Sequence, residues 1–147
     1  MTPAEYQDHQ PHEDSNLFAP DVHLADLVRV VNLSDDTRFP ITLIVSGATI
    51  SGHVVSGSRF FRGLKHASAS DECTDTLAGL WDSAIALYSE AQNEEAVDPI
   101  VELERIGFIH LEDAVVHTGG TRSGLMFWRG RLESVDGWSV GALNTPS

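Results

Sequence analysis

Hydrophobic positions along the chain change period several times, and each change predicts an element. Leu24, Leu27, Val28 and Val31 recur at helical spacing, and Asp21 after Pro20 is suited to cap that helix. Asn32 and the Ser34 to Asp36 run close it. The apolar face is narrow and Arg29 sits opposite, so the helix is expected to lie on a core instead of passing through one. From Arg38 the period drops to two. Ile41, Leu43 and Val45 alternate with Thr42, Ile44 and Ser46, Ser46-Gly47-Ala48 offers a turn, and Thr49 to Ser56 runs as a second strand. Gly52, inside that strand, marks a bulge, a bend or a close backbone approach. Ser58 to Leu64 begins a short helical or irregular stretch. Leu77, Leu80, Trp81, Ala84 and Tyr88 then define the clearest helix, with Thr74 or Asp75 as its cap.

Beyond Asn93 the pattern fades into acidic residues, with Glu94, Glu95, Asp98, Glu102 and Glu104 around Pro99, read as a solvated connector. Strands return in the last third. Phe108 to His117 alternates, Gly119 to Gly124 is read as a loop, and Leu125 to Val135 as one long strand with Gly130 inside it. An Asp136-Gly137 turn leads to a last strand from Trp138. These elements predict an α+β domain. Its centre is a small, strongly curved antiparallel sheet, or a partly open barrel similar to the Sm-like barrels, of about five strands. A helix precedes the sheet, and a helical insertion of about residues 58–95 separates strands two and three. The domain is placed at 21–144, with the acidic connector at about 94–105.

Composition narrows the partners. Residues 1–20 mix Pro, His, acids and amides and read as a flexible tail; His9 and His12 beside Asp8, Glu13 and Asp14 offer at most weak chelation. A net charge of −13, from 22 acidic residues against nine Lys and Arg, repels nucleic acid and anionic membrane surfaces. The single Cys73 allows no intrachain disulfide, and no apolar run approaches the length of a membrane span, so a cytoplasmic location is expected.

Candidate chemistry is sparse. His110 and His117 lie on one segment but no HxH, HxxxH or CxxC spacing occurs, and His110 is expected to face solvent beside Glu112. Gly-x-Ser-x-Gly is absent, and acidic neighbours disfavour a Cys73 thiolate. No catalytic residue, metal or cofactor is expected. Phe127, Trp128, Arg129 and Arg131, by contrast, gather aromatic and basic character in an acidic chain. On a strand, Phe127, Arg129 and Arg131 share one face while Trp128, Gly130 and Leu132 share the other. One face belongs to the core. The other is either a protein-binding surface, to which Trp138 is added, or a solvated face of paired arginines.

The stretches Ile50-Ser51-Gly52, Phe60-Phe61, Phe108 to Leu111, Phe127 to Gly130 and Val135 to Gly141 together resemble the gas vesicle accessory protein GvpU family over about residues 22–143. The resemblance implies a non-enzymatic protein that assembles, organises or clusters gas vesicles. Its partners would be the vesicle shell or other gas vesicle proteins, and it would self-associate; neither nucleic acid nor membrane is implied. It carries over no catalytic residue. The unusually acidic tail and connector depart from the family pattern. Two rivals stay open: a small β-barrel module binding a ligand or RNA, which the charge opposes, and a metal-dependent enzyme built on the histidines.

Overall fold

A computed structural model describes residues 20–69, 74–90, 92 and 99–143. Helix α1 spans Val22–Val31, and the Asp21 carboxylate accepts from the backbone N–H groups of His23 (2.8 Å) and Leu24 (3.0 Å), the cap the sequence predicts. Strands β1 (Phe39–Val45) and β2 (Ala48–Val54) form a hairpin. Ser46 and Gly47 both take positive φ (49° and 80°), as a two-residue turn matched to the strand twist requires. Helices α2 (Gly57–Ala67) and α3 (Thr74–Glu90) make the expected insertion. A further helix, α4 (Pro99–Gly107), leads into β3 (Phe108–Thr118), β4 (Thr121–Arg131), a 3-10 turn (Leu132–Ser134) and β5 (Gly137–Val140).

The five strands form one antiparallel sheet in the order β4-β3-β2-β1-β5. It is an open sheet and does not close into the barrel that the sequence offered as an alternative: β4 and β5 lie at opposite edges. The β2–β3 register shifts by one residue at Gly52, the irregularity that a glycine inside a strand predicts. A Cβ there would approach the Glu112 carbonyl oxygen to 3.0 Å. Opposite it, Asp113 takes a positive φ of 50°.

Two layers cover the sheet. On one face, Leu24, Val28 and Val31 of α1 bury against Ile41, Leu43, Ile50, Val54, Ile109 and Leu111. On the other, Phe60 and Phe61 of α2 and Tyr88 of α3 form an aromatic core with Val55, joined by Trp81, Ala84, Ile85 and Phe127. Two glycines let α2 approach so closely. A Cβ at Gly57 would strike the Tyr88 ring, and one at Gly63 the Phe127 ring.

Four local expectations are corrected. The acidic connector, expected at about 94–105, is helical from residue 99 as part of α4, because proline suits a first turn, Glu102 favours the positive end of the helix and Gly107 ends it; residues 93–98 lie outside the described chain. The Gly119 to Gly124 loop shrinks to a Gly119–Gly120 turn, both residues at positive φ, since Thr121 already pairs with Thr118. The long strand from Leu125 to Val135 ends at Arg131, where the chain turns to cross the sheet. The last strand therefore pairs with β1, Trp138 opposite Leu43, and not with its sequence neighbour. Finally, Leu80 is 58% exposed, and Ile85 and Leu87 turn inward on α3 in its place.

Candidate functional site

The aromatic and basic residues of β4 are sorted by the alternation of the strand. Phe127, Arg129 and Arg131 pair with Glu112, His110 and Phe108 of β3 on the face under the helical insertion. Phe127 meets Phe60 edge-on, with ring centroids 5.7 Å apart. Arg129 lies over the Phe108 ring at 3.6 Å, donates from Nε to His110 Nε2 (3.0 Å) and from Nη2 to the Glu104 carboxylate of α4 (2.6 Å). Arg131 reaches solvent, its side chain 65% exposed and paired among the described residues with the exposed Glu133. Trp128 points the other way. It packs on the α1-side core and folds back over Gly130, where a Cβ would meet its ring. Trp138 packs on the same core from β5, at the opposite edge of the sheet. The five residues thus do not form one patch. Phe127, Trp128 and Trp138 are half-buried among core side chains, Arg129 locks α4 to the sheet, and Arg131 faces water.

His110 is buried, not solvent-facing. It is 1% exposed, packed against Phe60 (4.8 Å), Tyr88 (5.2 Å) and Phe61 (5.6 Å). Burial, and then the Arg129 guanidinium, push its pKa down to about 3, so at neutral pH it is an uncharged acceptor for Arg129. The same burial raises the Tyr88 phenol, whose hydroxyl donates to the Glu104 carbonyl oxygen (3.3 Å). Arg105 of α4 is 1% exposed as well. It donates from Nε to the Leu87 carbonyl oxygen (2.9 Å) near the end of α3, while Nη1 and Nη2 have no partner among the described residues. Capping the negative end of α3 is a structural task for a cation.

A second polar cluster joins the end of α1 to the start of α2. Asn32 donates to the Arg105 carbonyl oxygen and accepts from the Gly57 N–H, both at 3.0 Å. The Asp35 carboxylate accepts from Ser56, Ser58, Gln92 and Arg62. Burial alone would raise the Asp35 pKa, but the hydroxyls of Ser56 and Ser58 and the charge of Arg62 more than offset it, and the net shift is downward. Arg59, also on α2, forks onto the Glu112 carboxylate at 2.9 and 3.1 Å. These residues hold helices to sheet. Periodicity carries no signal for them, because each pairs across some twenty to seventy residues of chain. Among the described residues no three His, Cys, Asp or Glu side chains are placed to hold a metal ion, and no helix is long and apolar enough to cross a membrane. The Cys73 and tail-histidine readings lie outside the described residues.

The family model described as gas vesicle protein GvpU-like matches residues 21–143. The chain matches no curated protein and no solved structure.

Proposed function

The chain belongs to the GvpU-like gas vesicle protein family, and from that premise we propose a non-enzymatic accessory protein that binds the vesicle shell or other gas vesicle proteins. In doing so it helps to assemble, organise or cluster vesicles, self-associates, and works in the cytoplasm. The family match over most of the chain carries this reading. Strand β4 supports it as part of the contact surface through Arg131, which stands open to solvent, since Arg is among the residue types that dominate protein interfaces.

The geometry selects which residue to test. Arg129 is tied to His110 and Glu104, so its replacement would disturb the fold, whereas Arg131 is open to solvent. Purified protein mixed with isolated gas vesicles is expected to rise with them on flotation. Arg131→Glu, folded by circular dichroism, is expected to leave a larger share in the subnatant. Wild-type protein that stays wholly in the subnatant would refute direct shell binding and leave only other gas vesicle proteins as partners.

A further inference from the structure

The two edges of the sheet are unequal. β5 offers four residues, whereas β4 offers eleven, with no further strand paired beside it and no proline within it among the described residues. Residues 121–126 are all exposed, including Leu125 (43%) and Met126 (66%), so a run of backbone N–H and C=O groups and two apolar side chains stand open on one border. Long open edges are normally shortened, covered or crowded with charge, because they recruit further strands. This one carries a single charge in its open half, Arg122.

Charge selects the occupant. In a chain of net charge −13, Thr118 to Leu132 contains three arginines and no acid. Arg129 and Arg131 are paired with Glu104 and Glu133, while Arg122 takes part in no ion pair among the described residues. We infer that the outer edge of β4, residues 121–126, takes an extended acidic segment of another protein as a sixth strand. Main-chain hydrogen bonds would supply the affinity. Carboxylates facing Arg122, and an apolar side chain on Leu125 of the opposite face, would supply the selection. A second copy is disfavoured at low salt, since it brings another net charge of −13. The inference deepens the protein-binding reading above and rests on it.

The probe is a fluorescein-labelled peptide alternating valine with glutamate, followed by anisotropy with the full chain. Saturable binding is expected, weakened roughly tenfold by Arg122→Glu, weakened by salt, and lost when the peptide amides along one edge are N-methylated. Absence of binding overturns the inference, and if the protein still floats with vesicles the proposed function stands without it. Binding that survives N-methylation overturns strand addition, since only side-chain charge would then be at work. A concentration-dependent dimer of the protein alone that Arg122→Glu abolishes assigns the edge to a second copy and overturns the acidic partner. Peptide binding with all these features in a protein that does not float supports the edge and counts against shell binding instead.

Discussion

His110 shows how much one side chain's surroundings decide. Folded, it takes a proton only near pH 3, whereas in the unfolded chain it does so near 6.5. Between those values the unfolded state binds more protons, so stability falls as pH falls, by up to about 1.4 kcal/mol per pH unit for one proton, and above 6.5 the group contributes nothing. Asp35 acts lower down. Its lowered pKa gives stability that is present at neutral pH and lost only as pH falls below the ordinary value of 3.8. The two windows are separable by urea unfolding at stepped pH. His110→Gln, which keeps an acceptor for Arg129, is expected to flatten the loss between pH 6 and 4 while leaving the loss below pH 4. A wild-type slope in the variant would mean that His110 does not stay neutral. Sequence gave no warning of this residue, because a histidine on an alternating strand looks the same over water as under Phe60, Phe61 and Tyr88.

At the scale of elements, α2 and α3 make opposite demands on their glycines. Replacing a mid-helix Gly with Ala ordinarily stabilises by about 1 kcal/mol. Gly79 of α3 has open space around an added Cβ, and Gly79→Ala is expected to gain up to that amount. At Gly63 of α2 the added Cβ meets the Phe127 ring, and overpacking at about 1–3 kcal/mol outweighs the propensity gain. Gly63→Ala is therefore expected to lower the melting temperature while Gly79→Ala raises it; both rising would show that α2 moves away from β4 at little cost. Helix α1, the β1–β2 hairpin, the bulge glycine and α3 were legible in the chain, since each announces itself within a few residues by a cap, a turn pair or a period. Helix α4 carried its own signal, Pro99 at one end and Gly107 at the other, which the acidic run masked. Where β5 pairs was not legible. Strand pairing is a choice among edges, and the Leu132–Ser134 turn that sends the chain to β1 rests on burial of Leu132 in a core built by other elements.

For the molecule as a whole, charge sets the terms of association. At −13, copies repel over a Debye length of about 10 Å at 0.1 M salt and further in dilute buffer. Sedimentation velocity is expected to give a monomer at low ionic strength and larger species as salt rises, in line with the proposed self-association. A monomer at every salt concentration would remove self-association from the proposal and leave other proteins as the partners. The sequence by itself determined the α+β class, the acidity and the family, because these depend on composition, local period and short motifs that survive without a fold. It also placed Phe127, Arg129 and Arg131 on one face of a strand and Trp128 on the other. Only the tertiary structure decided what each face meets. Alternation fixes sides but not neighbours, and it took α2, α3 and α4 settling on the sheet to turn Phe127 and Arg129 into packing and to leave Arg122 and Arg131 to the solvent.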